Sequence, residues 1–277
     1  MLVHNPNFNI KQIADSGQCF RMNKLEGKDK TASYSLVAYG KYLELTQVEE
    51  DTVELDCPEE EFHQLWEDYF DLKYDYGKVI EDLSAGEDEF LKQAAAYGSG
   101  VRILQQEPFE AAISFIISQN KNIPAIRSCV EALCRSYGES RRNKKGEVYY
   151  AFPTPGVLAC IRREELRALG MGYRDEYILR AAQAVADRTI NFEHLKKDGY
   201  EHAVKALKAI KGIGEKVANC ISLYGLHHIE GFPVDVWIRR ILKDIYRNEF
   251  NMKKYSCNAG IIQQYMFYYY RHLKGIS

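Results

Sequence analysis

Residues Leu207 to Leu242, LKAIKGIGEKVANCISLYGLHHIEGFPVDVWIRRIL, constrain the fold more than any other stretch. Ala203, Leu207 and Ile210 recur at helical spacing up to Lys211-Gly212-Ile213-Gly214, and Val217, Cys220, Ile221 and Tyr224 resume that spacing beyond it. Two short helices joined by a glycine hairpin follow. Gly212 and Gly214 allow positive φ or close backbone approach, so the turn can present free N–H groups at the start of the second helix, an arrangement that suits a phosphate. Phe232-Pro233-Val234-Asp235-Val236 then ends a loop, and Asp235 precedes a third apolar helical series, Val236, Ile238, Ile241 and Leu242. This predicts an N-cap at Asp235, where backbone N–H groups and the helix dipole hold a carboxylate ionised. Nineteen residues separate it from Lys216. Taken singly, a lysine after Gly-x-Gly-Glu reads as a solvated side chain and Asp235 reads only as a cap; the pairing is what points to chemistry.

With 277 residues and 46% apolar content, the chain has material for two or three subdomains with real cores. Its longest apolar runs, such as Ala111 to Ile117, are too short to cross a bilayer, and the N-terminus has no basic-then-apolar signal, so a cytoplasmic protein without a membrane partner is expected. Seven cysteines without paired close spacing predict reduced thiols and offer no metal-ligand pattern. A net charge of −2 does not advertise a nucleic-acid binder, yet acids concentrate between Asp51 and Asp88 while Arg127–Lys145 and Arg162–Arg180 are basic, which predicts a local basic face.

Strand-like alternation runs from Phe20 to Leu55, with a hairpin of Tyr34–Tyr39 and Tyr42–Thr46 about Gly40-Lys41 and a further strand at Thr52–Leu55. Asp56-Cys57-Pro58 reads as a cap followed by a proline in the first helical turn. From there helices are predicted at 76–83, 87–97, 109–119, 123–137, 155–161, 164–169, 175–186 and 200–210, with a basic, solvated break at Gly138 to Tyr150. The fold class is therefore α+β: an N-terminal antiparallel sheet with flanking helices over residues 1–98, followed by a larger all-helical body over residues 99–277, with the boundary at Gly98-Ser99-Gly100.

The hairpin, the Gly/Pro-rich loop and the aspartate together resemble the helix–hairpin–helix base-excision DNA glycosylases. Lys216 falls where bifunctional members carry their catalytic lysine. Three more segments extend the resemblance over nearly the whole length to the 8-oxoguanine DNA glycosylase/AP lyase family: Ser16-Gly17-Gln18-Cys19-Phe20-Arg21, Ser114-Phe115-Ile116-Ile117-Ser118-Gln119-Asn120, and Leu169-Gly170-Met171-Gly172-Tyr173-Arg174. The related families with a four-cysteine iron–sulfur motif are disfavoured, because only Cys257 follows Asp235.

The resemblance implies a monomer that acts on damaged double-stranded DNA, in the cytoplasm or on the nucleoid if bacterial, without a required cofactor. An amine attacks only when deprotonated, so Lys216 as nucleophile needs burial or a helix N-terminus, while Asp235 would stabilise positive charge on the sugar. Gly17 would accept the N7–H that distinguishes 8-oxoguanine from guanine, Gln263 would read the pairing edge, and Phe267 and Cys220 would stack on the base, with Phe115 completing the substrate pocket. Asn120 and Tyr173 would fill and wedge the vacated stack, and Arg174, Gly212, Gly214 and Trp237 complete the implied DNA contacts. The main-chain carbonyls of Lys208, Ile210 and Ile213 would hold K+ or Na+. The last helix, Asn258 to Leu273, would return to close the groove. Two departures stand out. Ala125 occupies the place of an arginine that, with the one at Arg174, surrounds the orphaned cytosine in animal and yeast members, and Trp237 replaces a histidine that contacts phosphate. The alternatives are a monofunctional alkyl-purine glycosylase, which needs Asp235 but not Lys216, and a noncatalytic helix–hairpin–helix DNA-binding module, which needs only the glycines.

Overall fold

The computed structural model describes residues 1–26 and 32–275; residues 27–31 of the expected strand-like stretch lie outside the described residues. The fold is α+β. Five strands, β1 (Leu2–His4), β2 (Met22–Lys24), β3 (Ser33–Ala38), β4 (Lys41–Glu49) and β5 (Thr52–Leu55), form an antiparallel sheet in the order β1-β5-β4-β3-β2. The predicted hairpin is β3 paired with β4, turning at Tyr39 and Gly40, both at positive φ (51° and 69°). Alternating residues Leu36, Leu43, Leu45, Val53 and Leu55 are buried on one face, where they form a core with Phe8, Trp66, Phe70 and Leu104. Helix α1 (Ile10–Asp15), too short for its apolar spacing to announce it, is capped by Asn9 and also packs here.

The next helical run consists of α2 (Glu59–Glu61), a π turn (Phe62–Trp66) and α3 (Glu67–Tyr69). Asp56 does not cap it. Pro58 is the N-cap residue and makes no side-chain cap, while the Asp56 carboxylate pairs with Lys144 at 2.6 Å. Helices α4 (Tyr76–Ser84) and α5 (Glu89–Tyr97) start at Asp75 and Asp88, whose side chains accept from Lys78 N and Leu91 N. Their residues Tyr76, Val79, Leu83 and Leu91 join a second, larger core built on α6 (Pro108–Ile117), which is buried all round from Phe109 onward. Asn122 caps α7 (Ile123–Tyr137).

The basic stretch after α7 breaks the helical series and is mostly exposed, as expected, but it is also structured: β6 (Ser140–Arg142) pairs with β7 (Val148–Tyr150). Its cations close onto acids, Arg141 on Glu139, Lys144 on Asp56 and Lys145 on Glu44 of β4, which clamps the hairpin to the sheet. The same holds in α8 (Pro155–Ala159), α9 (Arg163–Ala168) and α10 (Asp175–Ala186), where Arg162 meets Glu165, Arg163 and Arg167 meet buried Asp175, and Arg180 meets Glu176. The basic face expected from these stretches is therefore largely neutralised by neighbouring carboxylates.

The chain continues through α11 (Phe192–Asp198), a helix absent from the sequence-based expectation although Asn191 caps it, to α12 (Tyr200–Lys208), α13 (Glu215–Tyr224), α14 (Val236–Asp244) and α15 (Ala259–Leu273). As expected, α15 returns across the body to pack on α5 and α14. It also reaches the N-terminal segment, because Gln264 Nε2 donates to the Ser16 carbonyl at 2.6 Å. Gln18 completes that link by donating to Arg102 O and accepting from Leu104 N, both at 2.8 Å. The Ser16-Gly17-Gln18 turn is thus pinned between the two cores.

Candidate active site

Helices α12 and α13 are joined by the glycine turn. Gly212 has φ +99°, and a Cβ there would lie 2.1 Å from Tyr177 Cγ, so both conformation and close approach require glycine. Gly214 requires neither: it is an extended N-cap (φ −88°, ψ −178°) with open space in front of it. What it provides is an uncovered helix N-terminus, since α13 has no side-chain cap. The carbonyls of Lys208, Ile210 and Ile213 lie at the C-terminal end of α12 and in the turn, and that of Ile210 accepts the Ile213 N–H at 3.0 Å.

Lys216 sits in the first turn of α13 and is half-buried. Its Nζ donates to Ser118 Oγ at 3.3 Å and lies 5.3 Å from the centroid of the Phe115 ring. Phe115 is itself buried and stacks on Tyr224 at 5.3 Å, so it forms the floor beneath the amine. One turn after Lys216, Cys220 is buried; burial pushes its thiol pKa up and the neighbouring Lys216 charge opposes the rise. Asp235 caps α14 as expected, accepting the Ile238 N–H at 2.8 Å. Burial pushes its carboxyl above the usual aspartate range, against the Ile238 N–H and the charges of Lys216 and Arg271. Lys216, Cys220 and Asp235 therefore share one electrostatic environment.

Gly17 supplies another wall. Its φ is +77°, and a Cβ there would lie 3.3 Å from Ile123 Cδ1, 3.4 Å from Phe267 Cε1 and 3.7 Å from Arg271 Nη1. On α15, Gln263, Phe267 and Arg271 follow at four-residue intervals and so form one stripe. Gln263 is 3% exposed, and its Oε1 is buried without a hydrogen-bond partner among the described residues. A buried amide oxygen left open in this way is suited to a ligand donor. Arg271 and Ser118 are site residues that the sequence alone does not single out. Helical spacing from Gln263 is the signal available for Arg271, and position within the Ser114–Asn120 segment is the signal for Ser118.

A second group lies beside the first. Asn120, at φ +53°, donates from Nδ2 to Tyr173 OH at 3.0 Å, and Tyr173 is half exposed. Arg174 turns inward: it is 6% exposed, its Nε donates to Gln119 O at 2.8 Å and its Nη2 to the same carbonyl, and its Nη1 donates to Met171 O. Gln119 Nε2 in turn donates to Gly212 O at 3.2 Å and ties this group to the hairpin. Trp237 stands apart, edge-on to Tyr270 with centroids 6.5 Å apart and with the Arg240 guanidinium 4.8 Å from its ring centroid. Among the described residues no cluster of three His, Cys, Asp or Glu side chains could hold a metal, and no helix is long and apolar enough to cross a membrane.

Comparison with known proteins identifies the family. Residues 1–112 match the 8-oxoguanine DNA glycosylase, N-terminal domain, and residues 113–257 match the HhH-GPD superfamily base excision DNA repair protein. A "Probable N-glycosylase/DNA lyase" of Methanothermobacter thermautotrophicus is 32% identical over 243 residues, covering 77% of this chain and 76% of that protein. The structure of MBOgg1 in complex with a low affinity DNA ligand superposes with TM-score 0.90 at 37% identity, over 99% of this chain and 96% of that one. The Clostridium acetobutylicum 8-oxoguanine glycosylase/lyase, in complex with double-stranded DNA containing cytosine opposite to 8-oxoG, gives TM-score 0.89 at 34% identity, over 97% and 93% of the two chains. With both family models matched in order along one chain, this protein belongs to the 8-oxoguanine DNA glycosylase family within the HhH-GPD superfamily of base excision DNA repair proteins.

Proposed function

We propose that this chain removes 8-oxoguanine from duplex DNA and then nicks the strand, with Lys216 as nucleophile. The observation that carries the reading is that the capping Asp235 feels the charges of both Lys216 and Arg271, the latter beside Gly17 on the Gln263–Phe267 stripe that we take to wall the base pocket. The damaged nucleotide leaves the stack, because its glycosidic carbon is inaccessible in the duplex. The neutral Lys216 amine attacks C1′, the glycosidic bond breaks, and the base departs with the bonding pair and a proton from the amine. Opening of the sugar leaves a Schiff base. Loss of a C2′ proton then expels the 3′ phosphate by β-elimination. Asp235 offsets the positive charge that develops on the sugar, and Ser118 aims the amine.

Gly17 offers its carbonyl to N7–H, which guanine lacks, and the open Gln263 amide reads the pairing edge. Phe267 and Cys220 flank the base, Phe115 supports the lysine, and Asn120 with Tyr173 fills the gap in the helix. The uncovered N-terminus of α13 at Gly214, with Gly212 behind it, takes a backbone phosphate. The carbonyls of Lys208, Ile210 and Ile213 are hard oxygen donors at the negative end of α12 and fit K+ or Na+, which would supply positive charge for the approaching phosphate. We take the enzyme to act as a monomer and to reside with its substrate in the cytoplasm, on the nucleoid if the source is bacterial.

Borohydride added during reaction with 8-oxoguanine DNA tests the reading. A reducible adduct should form and vanish in Lys216→Gln. An adduct that persists in that variant would move the nucleophile elsewhere, and no strand cleavage at all would remove the reading.

A further inference from the structure

Unlike Arg141, Arg163 and Arg167, neither Arg271 nor Arg240 forms an ion pair among the described residues. Arg271 is the more unusual. It is 7% exposed, its one hydrogen bond is from Nη1 to the Asp15 carbonyl at 3.3 Å, and its guanidinium carbon lies 5.3 Å from the Phe267 ring centroid. A guanidinium carries five N–H donors, and burying them unpaired is costly. No nitrogen of Arg271 is among the fully buried side-chain atoms without a partner, so its remaining donors reach open space. The guanidinium itself lies beside Gly17 and Phe267.

Its position on α15 indicates the partner. Gln263, deepest in the stripe, is two helical turns away and Phe267 is one, at about 5.4 Å per turn. If the base reaches Gln263 and lies against Phe267, the sugar–phosphate passes the Arg271 end. Tyr270, the neighbour of Arg271 on α15, is buried and meets Trp237 edge-on, and exposed Arg240 lies against the Trp237 ring on the far side of that contact. We propose that Arg271 binds a backbone phosphate of the extruded nucleotide and that Arg240 binds a neighbouring phosphate of the same strand, so that this arginine–aromatic track holds the lesion strand where Trp237 itself offers the phosphate no cation. The proposal rests on the pocket reading above. A phosphate is favoured over a base oxygen because the guanidinium fork matches an anionic oxygen pair and because Arg271 lies at the outer end of the stripe.

The test is equilibrium binding by Lys216→Gln protein, alone and with Arg271→Gln, Arg271→Lys or Arg240→Ala, to duplexes carrying 8-oxoguanine or a reduced abasic site. Each neutralising change should weaken both duplexes equally, and the deficit should shrink about threefold between 50 and 200 mM salt, because one fewer counterion is released. Arg271→Lys should keep the salt dependence of the parent. A methylphosphonate at the contacted position should weaken the parent and leave Arg271→Gln unchanged. A deficit confined to the 8-oxoguanine duplex would make Arg271 a base reader and overturn the proposal, as would unchanged salt dependence in Arg271→Gln. If Arg271→Gln does not fold, an unchanged salt dependence in Arg240→Ala, at an exposed position, also removes the track. The abasic duplex has no base to excise, so this outcome stands apart from failure of the 8-oxoguanine reading.

Discussion

Asp235 combines a structural asset with an electrostatic cost. Its carboxyl pKa is raised by burial, so the stability it contributes is full below the unfolded value of about 4 and is lost as pH rises through the elevated folded value. At neutral pH the ionised group is held against that cost. Asparagine also caps helices, so Asp235→Asn should melt at a higher temperature than the parent at pH 7, with the advantage disappearing in acid, while excision of 8-oxoguanine falls at least a hundredfold, roughly the effect of losing one preorganised electrostatic group. A lower melting temperature at pH 7 would show that the charge stabilises the fold. Gln263 separates differently. If its buried, unpartnered oxygen reads the base as proposed, Gln263→Ala should slow excision strongly and leave cleavage of a preformed abasic site unchanged; equal slowing of both would make the residue structural. Lys216 and Asp235 are legible in the sequence because hairpin and cap chemistry are local. Arg271 is not, because its surroundings bring Asp15 and Gly17 to α15 from the far end of the chain.

At the scale of elements, α6 carries a charge inside the helical body. Glu110 is buried between the cores, and its pKa is pushed up to about 7 by burial, even though Arg21, 3.8 Å away, pulls it down. Glu131 takes the other side of Arg21 at 3.2 Å. The stability tied to Glu110 is present below the unfolded glutamate value of about 4.3 and is lost as pH rises through about 7. Denaturant midpoints of the parent should therefore fall between pH 5 and pH 8, and Glu110→Gln should flatten that slope. A slope of unchanged steepness would assign it to other groups. Most helices are legible because their apolar spacing and caps are local, as at Asp88 and Asn122. The β6–β7 pairing is hidden, since Lys144 and Lys145 look solvated in sequence and acquire their acidic partners, Asp56 and Glu44, only from the distant N-terminal part of the chain. Asp56 misleads for the same reason: a distant lysine competes for the carboxylate that local pattern assigns to a cap.

On the scale of the whole molecule, the proposed function assigns the two site groups to different parts of a duplex: Gly17, Lys216 and Gln263 to the extruded nucleotide, and Asn120, Tyr173 and the start of α7 to the place it leaves. In the pattern of the animal and yeast members two arginines surround the orphaned cytosine there. Here the first position is Ala125, whose N–H is taken by the Asn122 cap at 2.9 Å, and the second, Arg174, is folded inward onto the Gln119 carbonyl. Neither position presents a donor to a base edge in this arrangement. One good side-chain contact to a base is worth roughly 1–3 kcal/mol of discrimination, so the missing arginine should lower the preference for cytosine by about ten- to a hundredfold. We predict that 8-oxoguanine is excised opposite adenine or thymine nearly as fast as opposite cytosine, and that Ala125→Arg, at a partly exposed position in the first turn of α7, raises the rate opposite cytosine relative to the other three. Single-turnover rates against all four opposite bases decide the matter. Strong cytosine selectivity in the unmutated chain would mean that Arg174 swings out on binding DNA and suffices alone, and Arg174→Ala should then abolish that selectivity while leaving cleavage of an abasic site in place.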